Sequence, residues 1–250
     1  MKYLGIFILI VGLLASCGSD EKKQLSFTTK TYQTEPCQHC PSIFIEMPQV
    51  VEDSELGNLI NEAVTQAVIL ELIYDDSLGI RTPEEAMASF KNGFLELKKM
   101  YPDESLGWEA QIVSTPSYED QNVLSIKIDA YLFTGGAHGQ STTRFLNFDK
   151  KKGVQLSTWE LFKESEGFLS YVEQKFRLQE GIPAGASINS TGFMFEEATF
   201  YLPETIGYTK KGIQLIYEQY EIASYADGPV SLVLPYKEVQ PYLSLPLVQE

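Results

Sequence analysis

Residues 123–133 alternate clearly, and this run limits the fold more than any other part of the chain. Leu124, Ile126, Ile128, Ala130 and Leu132 point one way, and Ser125, Lys127, Asp129 and Tyr131 point the other. Side chains repeat with period two along a strand, so such a segment makes a sheet with one apolar face, which helices must cover, and one face left partly wet.

The surrounding spacing supplies the helices. Leu56, Leu59, Ile60, Ala63, Val64, Ala67 and Leu70 recur at helical period within residues 54–74. A second helix is announced by Thr82, Pro83 and Glu85. Thr82 can cap the free amides, Pro83 suits the first helical position, and Glu85 can reach back to close a capping box. Its buried face is Met87, Phe90, Phe94 and Leu97. Ser157 and Glu160 repeat the capping-box signature, with more helix expected over 166–178. Strands are expected over 25–34, 42–47, 108–115, 142–149, 154–156, 200–202, 213–217 and 230–234. Strands mixed with helices without regular alternation predict an α+β fold, with antiparallel sheets packed on helices in two closely associated sub-domains. The expected division is 25–140 and 141–247.

Ahead of this body, Lys2 is followed by an apolar run over residues 4–14 and then by Ala15, Ser16 and Cys17. The run is shorter than the ~20 residues needed to span a bilayer. It has the order of a secretory signal peptide, and the cysteine after two small residues makes it a lipobox. Residues 1–16 are therefore expected to be removed, Cys17 to carry lipid, and residues 17–24 to form a polar leash. The acidic residues just after Cys17 resemble the surface-export signals of Bacteroidetes lipoproteins. The expected location is the cell envelope, lipid-anchored at the outer membrane, on its periplasmic or its cell-surface face.

The formal net charge is −15. A surface of that sign repels nucleic acid, whose binding depends on lysine and arginine displacing counterions, and favours encounter with a basic protein. With Cys17 acylated, Cys37 and Cys40 remain, in a Cys-Gln-His-Cys spacing. A thioredoxin-like site needs a helix starting at the motif, where Pro41 and an extended run follow instead. Zinc needs a second ligand pair, and covalent haem needs a histidine where Pro41 stands. A short-loop disulfide is the simplest reading in an oxidising compartment, contributing at most about 2 kcal/mol. No cofactor or metal site is expected.

The most unusual stretch is Gly135, Gly136, Ala137, His138 and Gly139. Its glycines permit positive φ and leave amides uncovered, as in a cradle for an anion or a sugar, although the spacing is neither a dinucleotide nor a P-loop fingerprint. His138 could serve a hydrolase as general base near Ser141, but no nucleophile elbow accompanies it. A tight sheet turn needs the same glycines. The acidic pairs Glu84-Glu85 and Glu196-Glu197 sit at helix starts or surfaces and receive no acid–base role.

The glycine turn is followed by Phe145-Leu146-Asn147-Phe148-Asp149, Lys152-Gly153 and Trp159-Glu160-Leu161-Phe162. Further on come Tyr217-Glu218-Gln219-Tyr220-Glu221-Ile222-Ala223-Ser224-Tyr225-Ala226-Asp227-Gly228-Pro229 and Leu234-Pro235-Tyr236. Over roughly residues 25–245 this series resembles the RsiV-like family. That family includes the extracellular part of a lysozyme-sensing anti-sigma factor and a module attached to a peptidoglycan deacetylase. The lipid signal replaces the transmembrane and sigma-binding segments of the anti-sigma factor, and no deacetylase domain is recognisable. The resemblance therefore implies only the binding module, with a lysozyme-type protein or cell-wall glycan as ligand. Candidate contacts are Tyr131, Gly135, Gly136, His138, Gly139, Tyr220, Tyr225 and Tyr236, since tyrosines offer flat faces to sugars and proteins.

Overall fold

The computed structural model describes residues 24–37, 40–74, 79–102, 107–163 and 165–248. The expected signal peptide, Cys17, His39 and all of the leash except Gln24 lie outside the described residues. The order of elements is β1 (Phe27–Gln33), β2 (Ser42–Val50), α1 (Glu55–Leu72), α2 (Pro83–Met100), β3 (Glu109–Glu119), β4 (Val123–Phe133), β5 (Gln140–Asp149), β6 (Val154–Leu156), α3 (Ser165–Gln179), β7 (Thr205–Thr209), β8 (Gly212–Tyr217), β9 (Val230–Leu234) and α4 (Tyr236–Val239). The fold is α+β, as expected: a 6-stranded sheet in the order β1 to β6 and a 3-stranded sheet in the order β7 to β9.

All neighbouring strands are antiparallel except β2 and β3, where Ser42 pairs with Glu109 and Ile45 with Ile112 in parallel register. A parallel pair needs a long crossover, and α1 and α2 provide it. Ser54 caps α1 by accepting from the Gly57 amide. Thr82 and Glu85 close the expected capping box at α2, and Lys98 and Lys99 sit in its last turn, where the helix dipole favours positive charge. Ile60, Val64, Ala67 and Val68 of α1, with Phe90 and Phe94 of α2, cover Ile43, Ile45, Ala110, Ile112, Ile126, Ile128 and Phe148 of the large sheet.

The opposite face is partly wet, as expected: along β4, Asp129 and Tyr131 are exposed, whereas Val123 and Ser125 are fully buried. The cause is the small sheet, whose strand β7 crosses β3, β4 and β5 on a polar seam. Ser117 Oγ donates to the Tyr208 carbonyl (2.7 Å), Ser125 Oγ to Asn147 Oδ1 (2.8 Å), and Asn147 Nδ2 to the Ile206 carbonyl (2.9 Å). Gly207 lets the backbone of β7 come this close, since a Cβ there would overlap the Phe145 ring. The division at 140/141 falls one residue into β5, which pairs with β4 in one ladder, so that β5 and β6 complete the first sheet.

Beyond the seam lies a second core. Phe168, Val172 and Phe176 of α3 pack with Phe195, Phe200, Ile206, Ile213 and Tyr217. Residues 200–202, expected as a strand, are irregular. Phe200 and Tyr201 turn their rings into the cluster around Phe195 and Tyr217, and the ladder begins only after Pro203. Gly207 in mid-strand hid β7 from the alternation rule.

Candidate functional site

The glycine turn joins β4 to β5. Gly135 and Gly136 stand at φ 102° and 89°, a region that side chains with a Cβ avoid. Gly139 is needed for a different reason, because a Cβ there would meet the Tyr131 ring. The His138 ring lies against Tyr225 with centroids 3.7 Å apart and planes 23° from parallel, and Tyr220 follows Tyr225 at 5.4 Å. The Tyr225 hydroxyl donates to the Gly139 carbonyl (3.0 Å). Tyr220 is 61% exposed and sits at φ 71°.

The fold thus gathers Tyr131, Gly139, His138, Tyr225 and Tyr220 at one end of β4, with Gly135 and Gly136 shaping the bend. Tyr236 is elsewhere. Its hydroxyl donates to the Thr209 carbonyl (2.7 Å) and its ring packs beside Tyr118 and Tyr208, so its place is in the second core. Among the described residues, the hydrogen-bond contact of His138 is the neighbouring Gly139 carbonyl (3.3 Å). A histidine base needs a hydroxyl or carboxylate partner, and an exposed imidazole stacked on a phenol has not been given one. Cys37 and Cys40 are bridged, with Cα atoms 5.8 Å apart, in the β1–β2 connection. Thr34 also closes that connection by accepting from the Ile43 amide (3.0 Å).

From the turn, a strap of residues 218–228 runs back along β5. Tyr225 holds one end at Gly139. At the other, Glu218 Oε1 accepts the Thr143 amide (3.1 Å), and the Thr143 carbonyl accepts from Thr205 Oγ1 (3.3 Å). The strap folds on itself where Glu221 Oε2 accepts the Glu218 amide (2.7 Å). Its sequence explains the shape: Ser224 and Asp227 close a small capping box, and Gly228 leaves it at φ 74°.

Between strap, β5 and β6 opens a cleft of about 480 Å³ lined by Glu71, Arg144, Trp159, Glu204 and Glu218, together with threonine and serine hydroxyls. It continues into a second recess of about 500 Å³ that shares Trp159, Glu204 and Glu218 and adds Tyr201 and Glu221. Trp159, 57% exposed, presents a wall of the groove, while Glu71 holds Arg144 at 3.4 Å. Burial, chiefly, and the neighbouring charge of Glu221 raise the Glu218 carboxyl above the ordinary glutamate range, and burial with the charge of Glu204 does the same for Glu221. Four carboxylates thus line the two joined recesses, where one guanidinium, paired with Glu71, is the cation among the lining residues, so that a further positive charge is favoured. Local sequence carries little sign of this, since Glu71, Glu204 and Glu218 are brought together only by the crossing of β7. Trp159 reads locally as one face of a short helical turn.

Residues 36–141 match the family described as deacetylase PdaC, and residues 160–237 match the family of proteins of unknown function DUF3298. A search of curated proteins finds no match. Among solved structures, the chain is similar to a DUF3298 family protein from Pseudomonas aeruginosa, with 19% identity over 89% of this chain and 96% of that one and a TM-score of 0.65. It is also similar to a DUF3298 family member from Bacteroides fragilis, with 20% identity over 88% of this chain and 95% of that one and a TM-score of 0.67. At these identities the likeness is one of fold. Residues 36–141 are thus similar to the PdaC type and residues 160–237 to the DUF3298 type, and the fold that joins them is shared with both solved DUF3298 proteins.

Proposed function

We propose that the protein is a non-enzymatic, lipid-anchored envelope module that binds a basic protein of the lysozyme type, with peptidoglycan glycan as the competing ligand. The observation that carries this reading is the groove beside the strap. Four glutamates and a single arginine line it, and two of the glutamates are held in surroundings that oppose their ionisation. A lysine or arginine side chain entering the groove relieves that opposition, and Trp159 offers it a cation–π face. The formal charge of −15 speeds encounter with a cationic partner. The exposed tyrosines of the adjoining turn extend the surface.

Calorimetry of the domain from residue 22 onward, with lysozyme and separately with muropeptides, tests the proposal. Heat with lysozyme that weakens as salt rises is expected. Heat with muropeptides alone transfers the site to glycan, and heat with neither removes the binding reading. The membrane part of the proposal rests on the lipobox at Cys17, and loss of membrane association in a Cys17→Ala chain is its test.

A further inference from the structure

Both ends of the described chain are fastened to the same place. At the start, the Leu25 amide donates to Glu119 Oε1 (2.8 Å) and the Ser26 amide to Glu52 (3.0 Å). At the end, the Val248 amide donates to Asp120 Oδ2 (3.0 Å) and Asn122 Nδ2 to the Pro246 carbonyl (2.5 Å). Lys150 ties the group together, pairing with Glu119 (2.5 Å) and donating to the Asp120 carbonyl (2.8 Å). The knot occupies the β3–β4 turn and the adjoining β5–β6 turn, and Lys151 and Lys152 are exposed beside it.

The register of the large sheet defines the opposite end. Glu119 pairs with Leu124 at the knot, whereas Glu109 pairs with Phe133, Leu132 with Gln140, and Gln33 with Phe44 at the far end. The bridged Cys37–Cys40 connection, the glycine turn and its tyrosines therefore share the far pole. β4 runs the full distance between the two, as do β3 and β5 beside it, and its 11 residues span about 33 Å at roughly 3.3 Å per step.

We infer that the protein stands on the membrane by its β3–β4 pole and presents the opposite pole, with Tyr220, Tyr225, His138 and the Cys37–Cys40 hairpin, to partners away from the lipid. This rests on the proposed lipid anchor at Cys17, because the short leash from that residue delivers the chain to Leu25, which is clamped at Glu119. At the knot, the three lysines Lys150, Lys151 and Lys152 stand against the four carboxylates of Glu52, Glu119, Asp120 and Asp149, so this part of an otherwise acidic chain is close to balanced and is repelled less by anionic headgroups. The far pole lies well beyond the screening length of about 8 Å at physiological salt, and a ligand there does not meet the headgroup field.

The test uses the full lipidated chain in vesicles of phosphatidylcholine with phosphatidylglycerol carrying a headgroup acceptor dye. A donor dye is placed at Lys151→Cys or at Ala137→Cys, with Cys17 acylated and Cys37 and Cys40 oxidised. Energy transfer from position 151 is expected to exceed that from position 137 several-fold. Equal or reversed transfer in vesicle-bound protein overturns the orientation while leaving the anchor intact. Unbound protein without transfer from either dye removes the anchor, and the orientation with it. Circular dichroism of each labelled chain confirms that the comparison is between folded proteins.

Discussion

The two cores of this protein are built differently. The first is chiefly an aliphatic layer, in which Ile43, Ile45, Ile112, Ile126 and Ile128 of the large sheet lie under two helices, with Phe90 and Phe94 gathered around Trp108 at its end. The second centres on single aromatic rings: Phe176 alone meets Phe193, Phe195, Phe200 and Tyr217. Between them lies a seam made of hydrogen bonds. A layered core tolerates a small loss, whereas a hub does not, and a polar seam fixes how two bodies sit without contributing much apolar burial.

The largest expected effect follows from the hub. Phe176→Ala should destabilise by about 3–5 kcal/mol, against about 0.5–1.5 kcal/mol for Ile45→Val in the first core. Denaturant titration of both variants measures the contrast, and similar losses would erase the distinction between the cores.

Next comes the seam. Asn147→Ala leaves Ser125 and the Ile206 carbonyl without their buried partner and should cost about 1–3 kcal/mol. Because the cut lies between the lobes, hydrogen exchange should rise in β7 more than in α1. Uniform exchange across both would argue that the lobes unfold as one.

A smaller effect is expected at the strap. Tyr225→Phe keeps the ring against His138 but removes the donor to Gly139, a loss of about 0.5–1.5 kcal/mol. Faster exchange confined to the glycine turn and the strap is the signature to seek.

The smallest effect has the opposite sign. Because the folded carboxyls of Glu218 and Glu221 take up protons more readily than unfolded glutamate, their contribution is fully present below the ordinary glutamate range. It is lost as pH rises through the raised values. The Glu218→Gln chain should therefore melt slightly higher than the parent at neutral pH and equal to it in acid. Melting curves across that window decide the point, and a lower melting temperature at neutral pH would contradict the charge arrangement in the groove.

Much of the first core could be read from residues, because its signals are local. The alternation from Leu124 to Leu132 places β4 correctly, and Thr82 with Glu85 marks the start of α2 within its own turn. The seam could not be read in this way. Ser125 and Asn147 look like solvent-facing positions until β7 covers them, and β7 itself is disguised by Gly207 and by the apolar run before Pro203. The candidate site divides along the same line. The glycine turn was legible as unusual local chemistry, whereas Tyr131, Tyr220, Tyr225 and Tyr236 are all chosen by type, and of these Tyr236 is half-buried against the second core and away from the turn. The groove carboxylates come from α1, the approach to β7 and the strap, and only tertiary contact assembles them.

The central claim is that the groove between the lobes receives a cationic group of a protein ligand. The most direct measurement is the affinity for lysozyme of a Trp159→Ala chain and of a Glu218→Gln, Glu221→Gln chain beside the parent. Losing an aromatic anchor is expected to weaken binding by about tenfold or more, and losing the two charges is expected to flatten the dependence on salt as well. Unchanged affinity and an unchanged salt profile in both folded variants would contradict the account.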